Sequence, residues 1–401
     1  MKLASNKRFI TAILALVLCQ TISAQSLPKT MRRLPDTGQT QSYTNTPGED
    51  ADFSINSPFF IQNGDGTVTD TVTGLMWQQT DGGEMTIENA TTFCENLTIG
   101  GHDDWRLPTT YEAYSMLNHG KSNPALDIAA FTNTVAEYWW TSQHDVTNAS
   151  KIWVTNKGGG IGNHLKTETV SAGGTKKIHV RAVREIETPP TVSSHFSDNS
   201  DGTITDHLTD LVWQKTPAPD SMTWESALVF SANLSLAGHD DWRLPNIKEL
   251  QSLSEVSIAN PSVNSAFFPQ IGLKKYWAST SLPNQTTKAW YLDTRFGITT
   301  YAEKTGKLNL LCVRGGQNGS VSTNDLTMGN TPIMAFPNPF ADHVILKNAP
   351  ENVFCQMSNA LGQVVFSGTH LEKQDLTKLP PGLYTLKISG NPNAVFKLLK
   401  S

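Results

Sequence analysis

The chain has 401 residues, room for two to three domains at roughly 100–200 residues each. Hydrophobic residues make up 38% and charged ones 17%, too apolar and too weakly charged for a disordered chain. Lys and Arg number 31 against 36 Asp and Glu, so the basic field of a nucleic-acid binder is missing. With 29 Gly and 21 Pro, a loop-rich, strand-containing architecture is expected over a helix bundle.

The N-terminus reads as an address. Lys2, Lys7 and Arg8 precede an apolar run from Phe9 to Cys19, and Ile22, Ser23 and Ala24 supply a cleavage site before Gln25. This is the anatomy of a secretory signal over 1–24, its apolar core too short for a stable span. A lipid anchor at Cys19 competes, but Leu18 is bulky where a small residue is expected. Residues 25–52 are polar and rich in Thr, Pro and Gly, which predicts a flexible lead-in.

A long internal repeat follows. Asn63, Asp65, Gly66, Thr67, Thr69, Asp70, Thr73, Leu75, Trp77 and Gln78 recur as Asn199, Asp201, Gly202, Thr203, Thr205, Asp206, Thr209, Leu211, Trp213 and Gln214. The stretch from Gly101 to Pro108 recurs unchanged from Gly238 to Pro245. Tyr138-Trp139 is paired with Tyr276-Trp277, and Val183-Arg184 with Val313-Arg314. All 10 tryptophans fall inside these units, five in each. The expected borders are 53–185 and 193–316, joined by a short stiff linker around Pro189-Pro190. A Gly/Ser/Thr/Asn-rich linker over 317–331 then leads to a unit at 332–401.

Within each copy, Gly66 to Asp70 predicts a turn entering a strand, with Leu75 to Gln78 as its partner. Ile87, Ala90, Phe93, Cys94 and Leu97 recur at helical spacing, as do Trp224, Ala227, Ser231 and Leu234. Thr109 with Glu112, and Asn246 with Glu249, predict a capped second helix in both copies. The expected class is α+β.

The acidic turn, the Asp104-Trp105-Arg106-Leu107-Pro108-Thr109 run and the closing Val183-Arg184 together resemble the Lcl-type domain, the C-terminal module of a bacterial collagen-like adhesin. The resemblance implies two tandem C-type-lectin-like domains acting in extracellular recognition. A weaker likeness to formylglycine-generating enzymes shares that broad fold. The tail resembles the type A sorting domain of type IX secretion through Phe336-Pro337-Asn338-Pro339-Phe340, Asn359 with Gly362 and Gln363, and Leu379 to Ile388. That implies a small all-β sandwich and export in Bacteroidota, with the translocon and its sorting peptidase as partners.

Four carboxylates are candidate Ca²⁺ ligands: Asp65, Asp70, Asp201 and Asp206. The competing reading is a plain tight turn, since Asp-Gly is standard hairpin chemistry and the EF-hand spacing fails. His102, Asp103, Asp104 and Arg106 bring a base, carboxylates and a cation together. Consecutive residues seldom converge on one point, so the expectation is structural: Trp105 and Leu107 as core, Asp104 or Arg106 in an ion pair. Trp139, Trp140 and Trp277 are candidate glycan-stacking residues, Trp140 foremost because Ala278 stands opposite it in the second copy. The resemblance implies a Cys pair per domain, yet Cys94 faces Ala182 and Cys312 faces Ser231. Buried free thiols are expected, a bridge between copies being the alternative. The missing thiol pair also argues against a formylglycine-type oxidase. The expected function is adhesion or glycan recognition without catalysis, a structural surface component being the other non-enzymatic reading.

Overall fold

The computed structural model describes residues 27–53, 55–132, 135–169, 178–315, 334–336, 340–347, 353–359, 362–388 and 395–400. The expected signal segment 1–24 and linker 317–331 lie outside them. The four α-helices among the described residues are short, at six to nine residues each, so the protein is mostly β with few helices.

Each copy opens as its turn motif dictates. Strands Phe60–Gln62, Thr67–Asp70 and Leu75–Gln78 pair antiparallel, and Val183–Glu185 closes the sheet. The second copy repeats the order with Phe196–Asp198, Thr203–Asp206, Leu211–Gln214 and Val313–Gly315. Gly66 and Gly202 take φ of 88° and 91°, left-handed values that admit glycine without a Cβ penalty. Register places Val68 opposite Trp77 and Ile204 opposite Trp213, all four facing the core. The Gln after each Trp closes the sheet too. Gln78 Oε1 accepts from Ala182 N and Gln214 Oε1 from Cys312 N, both at 3.1 Å.

Helix α1 (Ile87–Glu95) turns Ile87, Ala90 and Cys94 inward, following the helical spacing. Helix α2 (Thr110–Ser115) starts with the expected capping box on Thr109 and Glu112. Helices α3 (Trp224–Ala232) and α4 (Ile247–Ser252) are their counterparts, α4 capped by Asn246 and Glu249. A second sheet packs beside them. It consists of Tyr138–Asp145, Asn148–Asn156 and Ile161–Leu165 with a parallel Ile178–His179, and in the second copy of Lys275–Ser281, Lys288–Asp293 and Ile298–Glu303.

The copies are not beads on a string. Tyr114, Leu117, Trp153 and Ile161 of the first belong to one buried cluster with Ile247, Val263, Trp290 and Leu311 of the second. The Tyr114 hydroxyl donates to Thr299 Oγ1 at 3.1 Å, and Tyr111 donates to the Ser254 carbonyl. The Lys248 ammonium, 1% exposed, donates to the carbonyls of Ser115 at 2.7 Å and Asp36 at 2.8 Å.

The lead-in corrects its expectation of flexibility. Thr37, Gln39, Glu49 and Asp50 are buried against the second copy. Gln39 brackets Ser281 like a strand partner, donating to its carbonyl at 3.0 Å and accepting from its N–H at 3.1 Å. Asp50 Oδ2 accepts from Thr280 Oγ1 at 2.6 Å and Thr37 Oγ1 at 2.8 Å, and Ser281 donates to Glu49. Polar composition suggested solvent, but every one of these side chains finds a buried partner, which removes the cost of burying it.

Burial, and then the neighbouring Asp36 charge, hold the Asp50 carboxyl well above its ordinary value. Burial likewise pushes Asp36 up to about 6. A raised carboxyl contributes stability that is complete below its ordinary value and is lost as pH rises through the folded one. Asp50→Asn keeps an acceptor for both threonines but cannot ionise. Its melting temperature relative to the unaltered chain should therefore climb as pH rises above the ordinary carboxyl range. His119, lowered to about 3 by burial, slopes the other way but cancels in that difference. A difference that stays flat as pH rises would refute the assignment.

The tail is a small β sandwich. Met334–Phe336 pairs with Ile345–Lys347, and Val364–Gly368, Cys355–Asn359, Gly382–Ile388 and Val395–Lys400 form a four-stranded sheet. Tyr384, Leu386 and Ile388 alternate along their strand and face the core with Phe340.

Candidate functional site

A cavity of about 730 Å³ opens on the first copy, between α1, the Arg106–Thr109 segment and the strand Tyr138–Asp145. Ile87, Leu107 and Ile152 line its apolar part. Glu88, Thr91, Ser142 and His144 stand exposed around it, with Lys166 beside them. Its volume lies within the range of small-ligand pockets, about 300–1,000 Å³. The matching surface of the second copy is covered, because the lead-in lies on it.

One wall of the cavity is the recurrent Trp-Arg-Leu-Pro element, whose side chains diverge. Trp105 and Leu107 are core, and Trp105 Nε1 donates to the His102 carbonyl at 3.1 Å. Arg106 grips Glu112 through two hydrogen bonds, 2.8 and 2.7 Å, and also binds Glu185. Burial works to lower the Arg106 pKa, but Glu112 and Glu185 outweigh it and hold it above its ordinary value. Asp104 points elsewhere, accepting from Arg184 at 2.6 and 3.0 Å. The second copy repeats both pairs, Arg243 with Glu249 at 2.6 and 2.6 Å and Asp241 with Arg314 at 2.7 and 3.2 Å. This is the structural reading, with both ion pairs present.

Arg243 and Glu249 are each 3% exposed, whereas Arg106 keeps 34%. Arg243→Ala strands a buried carboxylate and should cost about 3–5 kcal/mol. Arg106→Ala should cost less, since water reaches its site. Urea unfolding midpoints check the order, and equal losses would contradict it.

The candidate stacking residues are core. Trp139, Trp140 and Trp277 are at most 1% exposed and present no face to a sugar. The pairing of Tyr138-Trp139 with Tyr276-Trp277 is also one residue out of register. Trp140 Nε1 donates to the Met85 carbonyl at 2.8 Å and Trp277 Nε1 to the Met222 carbonyl at 3.0 Å. Ser142 N bonds Pro108 O and Ser279 N bonds Pro245 O, both at 2.8 Å, fixing the same frame. Trp140 therefore corresponds to Trp277, and Trp139 to Tyr276. Trp140 is a shared core residue, and Ala278 corresponds to Thr141. Ladder hydrogen bonds set strand register; a matching dipeptide does not.

Residues 66–184 and 202–314 match the Lcl C-terminal domain, and residues 334–400 match a secretion system C-terminal sorting domain. The two Lcl matches take in more than half of the chain. The protein belongs to the Lcl C-terminal domain family. No curated protein matches it. The sorting domain marks the chain for type IX secretion to the cell surface or extracellular space. No helix among the described residues is long and apolar enough to cross a membrane.

In both Lcl domains the four acidic-turn carboxylates are taken up by backbone. Asp65 Oδ1 accepts from Thr67 N at 3.0 Å and Thr67 Oγ1 at 2.6 Å, and Asp201 repeats this with Thr203. Asp70 accepts from Val72 N and Thr73 N, and Asp206 from Leu208 N and Thr209 N. Among the described residues no group of three or more His, Cys, Asp or Glu gathers as metal ligands do. Cys94 and Cys312 are buried free thiols, each pushed up to about 12 by burial.

Sequence reasoning missed the cavity residues of the first Lcl domain. A signal existed: Thr91 and His144 stand where the second domain has Leu228 and Ser281. Differences between copies on a shared scaffold mark the surface each copy uses separately.

Proposed function

We propose that the protein is a non-catalytic adhesion protein displayed outside the cell, holding its ligand in the open groove of the first Lcl domain. The observation that carries this reading is the cavity itself, rimmed by exposed hydrogen-bonding and charged side chains while the twin surface is covered. Absence of turnover is part of the reading, supported by the way Arg106 is already committed to Glu112 and Glu185. The C-type-lectin-like architecture implied by the family resemblance stays with it. A glycan ligand would rest on Glu88, Thr91, Ser142, His144 and Lys166, since the tryptophans offer no stacking face. Calcium is not required by it, because the Asp65 and Asp201 carboxylates are occupied by their own turns.

The test is retention of the chain on arrays of glycans and matrix proteins, with and without Ca²⁺, against Ser142→Trp. Retention on at least one ligand, weakened about tenfold or more by filling the groove, is the expected result. Binding indifferent to Ser142→Trp, or chemical conversion of the ligand, would overturn it.

A further inference from the structure

The two Lcl domains carry the same groove in two states. In the second domain it is filled by the chain's own lead-in. Thr44 Oγ1 donates to Glu225 Oε1 at 2.8 Å, on α3. Glu49 accepts from Ser281, and Asp50 accepts from Thr280 at 2.6 Å, on the edge of the strand Lys275–Ser281. The Phe53 ring lies 5.5 Å from the Arg243 guanidinium carbon. A polypeptide with two adjacent carboxylates, turning over 45–48 and closing in a 3-10 turn at Asp50–Asp52, thus lies along the groove.

The helix frames and the Ser142/Ser279 frame set the equivalences. Glu225 corresponds to Glu88, Leu228 to Thr91, Arg243 to Arg106, Ser279 to Ser142 and Ser281 to His144. Burial follows occupancy. Leu228, Ser279 and Ser281 are at most 1% exposed, while Thr91, Ser142 and His144 are all exposed. The contact points survive the change of state. Glu88 can accept from a hydroxyl as Glu225 does, and His144 offers a ring N–H where the Ser281 hydroxyl donates. The cation is kept: Lys166 corresponds to Lys304, since Lys166 N donates to Ser150 O at 3.0 Å and Lys304 N to Thr287 O at 2.8 Å, and Lys304 feels the charge of Glu49 in the lead-in.

Resting on the groove reading above, we propose that the first Lcl domain binds an acidic peptide, as the second binds residues 42–53. The occupant presents a carboxylate to His144 and Lys166 and a small hydroxylated residue to Glu88. A peptide is favoured over a sugar because the twin groove holds a peptide and no Trp, Tyr or Phe lines the open one.

A labelled synthetic peptide of residues 39–53 is titrated with the full secreted chain, read by fluorescence anisotropy. The lead-in already fills the second groove, so saturable binding near one peptide per chain is expected, in the micromolar range. Ser142→Trp should weaken it about tenfold or more, and Lys166→Glu should weaken it in the same direction. Both positions are on the rim. If either variant melts lower than the unaltered chain, Thr91→Arg on the exposed face of α1 serves as the second block.

Absence of saturation at millimolar peptide overturns the proposal, as does binding that ignores all three variants, which means exchange into the second groove. The array experiment separates the two readings. Groove-dependent retention on a glycan without peptide binding removes the peptide and leaves the adhesive groove. Loss of neither by Ser142→Trp removes both.

Discussion

Deleting residues 334–400 should leave a folded chain in the periplasm and remove it from the cell surface. A secretory signal delivers a chain across one membrane only, and the two Lcl domains supply no second route. The tail matches a sorting domain over nearly its whole length, and its core of Phe340, Tyr384, Leu386 and Leu398 makes it a unit of its own. That core shares no buried cluster with the Lcl domains among the described residues. Its removal should therefore spare their fold. Surface proteolysis of intact cells, compared with periplasmic extracts, measures the outcome, and intact mass should place the end of the surface form within 317–335. Normal surface display of the shortened chain would rule out the tail as the export signal.

Removing residues 27–53 should destabilise both Lcl domains, although composition marks the segment as dispensable. Its loss takes the Asp36 carbonyl from Lys248, the Asp50 carboxyl from Thr280 and the Gln39 amide from Ser281. Each stranded buried group costs about 1–3 kcal/mol, less wherever water now reaches it. Three such groups alone approach about 5 kcal/mol, a large share of the 5–15 kcal/mol that typically holds a domain. At about 2–4 °C per kcal/mol, the melting temperature should fall by roughly 10 °C or more. Tryptophan fluorescence on heating reads it well, with five tryptophans in each domain. An unchanged transition would mean the lead-in lies on the surface without supporting it.

The fate of particular residues shows how far the sequence could be read. The capping boxes at Thr109/Glu112 and Asn246/Glu249 formed because a helix start is settled within four residues. The Asp-Gly turns, the strands flanking them and the inward face of Gly382–Ile388 are equally local, and all follow the pattern. Trp105 and Arg106 also took their expected roles, since a large indole and an Arg three residues before a helix cap have few other places to go. Trp140 failed because one residue of strand register cannot be read from a dipeptide.

What the sequence determined by itself was therefore local and repetitive: a duplicated Lcl unit, its turns and caps, and a separate sorting tail. Only the tertiary structure decided that Asp36, Thr37, Gln39, Glu49 and Asp50 are interior, that Lys248 bridges the two domains, and that one groove is filled while its twin stays open. The physical reason is partnership at a distance. Whether a polar segment faces water or protein depends on which hydroxyls and amides, more than two hundred residues away, fold up to meet it.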